Sequence, residues 1–235
     1  MFPTPGIALA CLLAVCLVFI VLWRSSHPRI TGEVVILVCA GLALALTLVL
    51  GGGLEALGLR APGREGASGA LSILMQVGGI YLAIILAKGV LVDLVLVRSL
   101  GLRPADLEEP ERKGDKARLF RELARSVTAS TAEEILFRGF LLGVLVFLAG
   151  GHSAPFGLEL GAVLLSAAIF GALHYRQGLA GVVACTVAGS VFGMAWLLNG
   201  GDLIPLIVAH IVINVVADLV LFAAPEADSG ARKSA

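Results

Sequence analysis

Long apolar runs separated by short polar breaks dominate the chain. Runs at 6–23, 33–52, 71–92, 126–149, 160–177, 179–198 and 203–223 stand out. Each approaches the ~20 mostly apolar residues that a helix needs to cross a bilayer. The pattern predicts seven membrane helices. Only Gln177 and Gly178 separate the fifth run from the sixth. Four regions follow: a three-helix membrane region (1–97), a charged loop or amphipathic segment (98–125), a membrane core (126–223) and a short tail expected to be disordered (224–235).

Composition turns this pattern into a fold class. Of the 235 residues, 58% are apolar and 14% charged, against about 25% charged in soluble domains. The mean hydropathy of +0.99 leaves too little polar surface for a water-soluble globule. A cytosolic enzyme and a nucleic-acid-binding module are excluded, and an all-α, polytopic transmembrane bundle is expected.

Net charge is zero, with 17 basic and 17 acidic residues, so its distribution carries the information. Eight Lys and Arg residues lie between Arg98 and Arg125. Basic residues in short loops accumulate on the cytoplasmic side. Placing this segment inside also puts Arg24, Arg29, Arg176, Arg232 and Lys233 inside, and leaves only Arg60 and Arg64 outside. The expected topology has the N-terminus out and the C-terminus in. Before the first apolar core there is no Lys or Arg, so this segment is expected to be an uncleaved helix rather than a signal peptide. Cys11, Cys16, Cys39 and Cys185 lie in apolar runs without paired spacing and read as small buried hydrophobes. Trp23 and Trp196 fall near opposite membrane surfaces, as interfacial aromatics do.

Two further patterns concern packing. Gly181, Cys185, Gly189 and Gly193 form a small-residue row on the sixth helix, and Gly139 and Gly143 a shorter one on the fourth. Such rows let helix backbones approach closely in lipid. The basic, amphipathic stretch 119–127 is either a headgroup-plane helix preceding the fourth span or an ordinary positive-inside loop.

Chemistry enters with the residues that are costly to place in a membrane. The fourth helix carries Glu133, Glu134 and Arg138. At helical spacing Glu134 and Arg138 share a face and can pair. Glu133 points roughly 100° away, without that partner, and is available as a general base. Thr131 followed by Glu134 also fits a capping box, which explains one glutamate but neither the second nor the arginine. The fifth helix ends in Phe170 and His174, one turn apart. The seventh places His210 and Asn214 on one face, with Asp218 a turn further. Taken singly, each His or Asn reads as interhelical hydrogen-bond glue. Together they can activate water and stabilise an oxyanion, with or without a metal.

These three groups, EEILFRG (133–139), FGALH (170–174) and HIVIN (210–214), resemble the motifs of the CPBP family. That family holds type II CAAX prenyl endopeptidases, the Abi proteins and bacteriocin self-immunity proteins. The resemblance covers roughly 126–217. It implies an intramembrane endopeptidase with a CAAX-protease-like helical bundle and a cavity open to the cytosol. By the resemblance, Glu133 activates the attacking water, and Glu134 and Arg138 take the structural and accessory positions of the first motif. Phe170 forms an aromatic wall, with Phe137 beside it in the substrate pocket. His174 contacts water or metal, and His210 and Asn214 bind the reacting carbonyl. Glu133, His174 and His210 are the candidate ligands if the site uses Zn2+ or another divalent metal; no other cofactor is expected. The expected partners are a peptide or protein substrate and the lipid bilayer, with no nucleic acid. The Ala/Gly/Leu/Val/Arg-rich composition points to a GC-rich prokaryote and its inner membrane.

Two other readings compete with a peptidase: a non-catalytic scaffold or immunity protein that binds a peptide or partner, and a small proton-coupled transporter. A scaffold has no need of an unpaired Glu133. A transporter needs charged residues leading to both faces, and the outer halves of the helices carry few. The topology also sets a geometric requirement. His174 falls near the cytoplasmic end of its helix, and His210 about 10 Å from the outer end of its own. Their convergence requires tilt, a re-entrant segment, or a last helix that starts deeper after the Asn-Gly-Gly-Asp at 199–202.

Overall fold

A computed structural model describes residues 4–25, 32–59, 66–90 and 116–223. Among them, α1 (Pro5–Ser25) packs on α2 (Gly32–Val49), and α3 (Gly66–Ala87) lies against α7 (Gly178–Leu198) and α8 (Ile204–Ala223). α4 (Lys116–Glu134) runs into π-helical turns over Ile135–Leu142 and then into α5 (Gly143–Leu148). Glu134 (φ −65°, ψ −41°) and Leu142 (φ −63°, ψ −42°) at the junctions keep right-handed helical geometry, so these three pieces form one rod. α6 (Phe156–Ala172) and a 3-10 turn (Tyr175–Gln177) precede α7. The described residues thus form seven helical rods and no strand, as the apolar runs predict.

Four stretches are long and apolar enough to cross a membrane: Pro5–Arg24, Gly32–Val49, Gly69–Val90 and Tyr175–Leu198. Phe156–Ala172 and Ile204–Val220 are apolar but shorter. Leu13, Leu17, Leu74 and Met75 face outwards, the inverse of a soluble fold. The chain is an integral membrane protein.

Several sequence expectations change in detail. The stretch 119–127 is neither a separate headgroup-plane helix nor a loop; it is the first part of the α4 rod. The Thr131–Glu134 capping box does not form, because the helix begins at Lys116 and Thr131 donates back to the Val127 carbonyl (2.7 Å). The helix expected over 160–177 ends at Ala172, which puts His174 on the turn to α7. Gly178 makes that turn with φ +72°, a conformation that favours glycine. Trp196 is buried in the core. The segment 98–115 and the tail 224–235 lie outside the described residues.

Small residues set how closely the rods approach. On α6, a Cβ at Gly171 would run into Thr186 Oγ1 and, at 2.7 Å, the Val182 carbonyl. From α7, Gly189 meets Ala167 at 3.2 Å and Gly193 meets Val163 at 2.8 Å. The rest of that row differs: Gly181 faces Gln177 of its own turn, and Cys185 is only partly buried. In α1 and α2, Ala8, Cys11, Cys39, Ala40 and Ala43 make a small-residue wall against Phe137, Phe140 and Phe170. The N-terminal helices therefore close one side of the core that carries the costly residues.

The last helix starts inside the bundle. Leu203 N donates to the Gly58 carbonyl (2.9 Å), and Ile204 N donates to Asp202 Oδ1 (3.0 Å). Leu203, Leu206 and Ala209 are fully buried. A short 3-10 turn, Leu54–Leu57, folds in beside them. Space for it exists because Gly139 has no side chain: a Cβ there would stand 2.9 Å from both Leu203 Cδ1 and the Leu57 carbonyl. This deep start carries His210 down to the level of Phe170.

Candidate active site

The site is built around one buried carboxylate. Glu134 Oε1 accepts from Arg138 Nη1 (2.9 Å), one turn on, and lies 2.7 Å from His210 Nδ1 on α8. Glu134 and Arg138 are almost completely buried. Unpaired charges in such surroundings are strongly unfavourable, so each ion depends on the other. Arg138 is held on three further sides. Its Nη2 donates a long bond to the Gly189 carbonyl (3.5 Å), and its guanidinium lies 4.6 Å from the Phe170 ring and 5.1 Å from that of Phe192. Both rings stand within cation–π range. The π-helical turns begin immediately after Glu134 and contain Arg138, and the Phe137 carbonyl within them accepts from Ser166 Oγ of α6 (3.2 Å). Wide turns of this kind recur at functional sites.

Glu133 differs from its neighbour. Its Oε2 lies 3.7 Å from His210 Nε2, beyond hydrogen-bond length, and it has no arginine partner among the described contacts. His210 therefore has two faces: Nδ1 is fixed by Glu134, and Nε2 looks toward Glu133. A proton on Nδ1 follows, since a carboxylate oxygen can only accept there. The imidazole also packs on Phe192 (ring centroids 5.2 Å) and, edge-on, on Phe170 (6.4 Å).

Phe170 ties the two histidines together. Its ring lies 4.7 Å from that of His174 and 5.1 Å from that of Phe137. His174 Nδ1 lies 2.8 Å from the Phe170 carbonyl, which can only accept, so His174 carries its proton on Nδ1 and presents a lone pair on Nε2. Asn214, one turn beyond His210, donates from Nδ2 to Ser130 Oγ (3.0 Å). Ser130 is completely buried, one turn before the two glutamates. A turn further, Ser126 Oγ donates to Asp218 Oδ2 (2.6 Å).

Glu133, Glu134, Phe137, Arg138, Phe170, His174, His210 and Asn214 thus stand around one locus between the α4 rod, the end of α6 and the middle of α8, and Asp218 lies beyond it. Phe170 and Phe137 form its aromatic wall. The candidate metal ligands are less well gathered. Glu133 and His210 face each other, but among the described residues no three His, Cys, Asp or Glu side chains stand close enough to hold an ion. No step below is routed through a metal. Sequence reasoning did not find Ser126, Ser130, Phe192 or Gly171. Serine and glycine are ordinary in membrane helices, and Phe192 sits in a uniformly apolar run.

Residues 117–216 match the family described as type II CAAX prenyl endopeptidase, Rce1-like. All three motifs lie inside that segment, and the α4 rod, α6, α7 and most of α8 compose it. Neither a curated protein nor a solved structure matches the chain.

Proposed function

We propose that the protein is a membrane-embedded endopeptidase that hydrolyses a peptide bond in a membrane-proximal peptide or protein, using a water activated by Glu133. One observation carries the reading. Two adjacent carboxylates have separate duties: Glu134 is consumed by Arg138 and His210, while Glu133 faces His210 Nε2 across a 3.7 Å gap. A water beside this gap can reach both groups.

The mechanism uses Glu133 as a carboxylate and His210 with a proton on each ring nitrogen. His210 then donates through Nδ1 to Glu134 and presents an Nε2–H donor to the reacting centre. Glu133 takes a proton from water as the oxygen attacks the carbonyl carbon. The developing oxyanion accepts from His210 and from the second N–H of Asn214, whose first N–H is committed to Ser130. Glu133 passes its proton to the leaving amine nitrogen as the C–N bond breaks, which releases a carboxylic acid and an amine. His174, with its Nε2 lone pair, accepts from the water or the substrate and helps orient it.

The basic residues that end in Lys116, Arg118, Arg121 and Arg125 of α4 support a cytoplasmic opening, since they immediately precede Ser126 on that helix. In a prokaryote this is the inner-membrane face.

The test is comparative peptidomics of membranes holding wild type or Glu133→Gln at equal protein levels. New peptides with wild type alone are expected, and their ends give the cleaved bond. Identical profiles, with any cellular phenotype kept by Glu133→Gln, would refute the peptidase and leave a binding scaffold.

A further inference from the structure

Beyond the motif residues, α4 and α8 are joined by three polar contacts in strict order. Ser126 meets Asp218, Ser130 meets Asn214, and Glu134 meets His210. The spacing is four residues on each helix, in opposite directions, so the contacts form a ladder between antiparallel rods. Two of its rungs hold residues of the proposed mechanism, and two begin with a serine to which no role has been given. We propose that Ser130 is the positioning residue for Asn214, and that the Ser126–Asp218 rung fixes the register in which α4 and α8 meet. The inference deepens the peptidase reading and rests on it for the catalytic part.

The physical case begins with Ser130. It is completely buried, and its hydroxyl has no bond back to its own helix, unlike those of Thr128 and Thr131. Its described partner is Asn214 Nδ2 at 3.0 Å. An amide has a donor end and an acceptor end that occupy nearly the same shape. In the observed contact Nδ2 is the end that meets Ser130 Oγ, which accepts, so the donor end faces α4 and the two glutamates. The second N–H is left for the reacting carbonyl oxygen.

The outer rung has a different duty. Apolar surfaces give helices in lipid little preference for one axial register, because the tails are as apolar as the side chains. A slip of one turn would move His210 off Glu134 by ~5.4 Å. Three polar rungs can be satisfied together only in the observed register, and Ser126–Asp218 is the one farthest from the chemistry.

Two arms test the proposal in the full-length protein in membranes. In a background with the four cysteines replaced by alanine, the pairs Ser126→Cys/Asp218→Cys and Ser130→Cys/Asn214→Cys are expected to form disulfides under mild oxidation. The pair Ser126→Cys/His210→Cys, two turns out of register, is expected not to. Efficient linking of that third pair, or none of the first two, would overturn the ladder. This arm needs no activity and stands apart from the peptidase reading.

The second arm is kinetic, with a peptide identified by the peptidomics. Ser130→Ala is expected to lower kcat at least ~5-fold, the worth of one lost hydrogen bond, and less than the ~100-fold cost of removing an oxyanion donor. KM is expected to hold within twofold. On an Asn214→Ala background the same change is expected to cost nothing more, whereas a merely structural serine would reduce activity in both backgrounds alike. Equal losses in the two backgrounds would overturn the positioning role. If wild type cleaves no peptide, the peptidase reading and the catalytic part of this proposal fall together, and the cross-links alone decide the ladder.

Discussion

Replacing Glu134 with Gln should unfold the protein more readily than any other single change in the site, whereas Glu133→Gln should leave stability almost intact. The magnitude follows from the contacts. Glu134 Oε1 carries two charge-assisted hydrogen bonds, 2.9 Å to Arg138 and 2.7 Å to His210, in a fully buried setting. Removing its charge leaves Arg138 as an uncompensated buried cation, which costs about 3–5 kcal/mol. The rings of Phe170 and Phe192 return only part of this, since each cation–π contact is worth ~1–2 kcal/mol and is already made. Glu133 has no hydrogen bond to lose, only the 3.7 Å approach to His210, so its amide should cost no more than ~1 kcal/mol. The assay is reversible unfolding in mixed micelles by titration with a denaturing detergent. Equal costs for the two glutamines, or a cost below ~1 kcal/mol for Glu134→Gln, would refute the division of labour on which the mechanism rests. A second variant sharpens the test. Replacing Glu134 and Arg138 together by Leu and Met should recover most of the lost stability, because a buried pair exchanged for apolar groups of similar volume is often close to neutral. The same double variant should remain inactive, because His210 loses its anchor.

Other outcomes follow from single contacts. Gly171→Ala places a methyl group against Thr186 Oγ1 and the Val182 carbonyl. It should destabilise by about 1–3 kcal/mol, and a thermal-unfolding midpoint equal to wild type would show that α6 and α7 do not approach this closely. His174→Ala removes one backbone hydrogen bond, worth about 1 kcal/mol, yet should lower kcat by about 100-fold or more if its Nε2 orients the water or substrate; unchanged turnover would remove it from the mechanism. Arg125→Ala breaks the contacts to Glu33 and Glu122 at an exposed position. Its cost should stay below ~1 kcal/mol and shrink further in high salt, and a larger loss would make this edge of α2 and α4 a structural clamp. Chelation should leave cleavage unchanged, given that Glu133 and His210 face each other without a third ligand close enough to complete an ion site; loss of activity restored by one added divalent metal would contradict this.

What the sequence discloses here follows from the cost of each feature in a membrane. Hydrophobic runs show where most helices lie, because a span cannot be hidden in composition. Glu133, Glu134, Arg138, His174, His210 and Asn214 are conspicuous for the opposite reason: ionisable and amide groups are rare where desolvation is severe. The start of the α4 rod was hard to read because its first ten residues alternate basic and apolar side chains, a pattern that fits a headgroup-plane helix as well as the start of a span. No local signal announces the π-helical turns either, since Glu134 and Arg138 stand four apart in sequence whether the turn between them is wide or narrow.

The requirement that His174 and His210 converge had a non-local solution. A glycine at 139 leaves room for Leu57 and Leu203, and the Gly58 carbonyl receives the first amide of the α8 end. Each residue is unremarkable in its own segment, and only their meeting lets α8 begin inside the bundle. The serines were hidden for a simpler reason. A hydroxyl in a membrane helix can bond to its own backbone, as Thr128 and Thr131 do, so its presence implies no partner. Ser130 departs from that habit and accepts a hydrogen bond from Asn214 across the helix interface. A motif read along one helix therefore identifies the reacting groups, while the groups that aim them lie on the facing helix, at the same four-residue spacing and in reverse order.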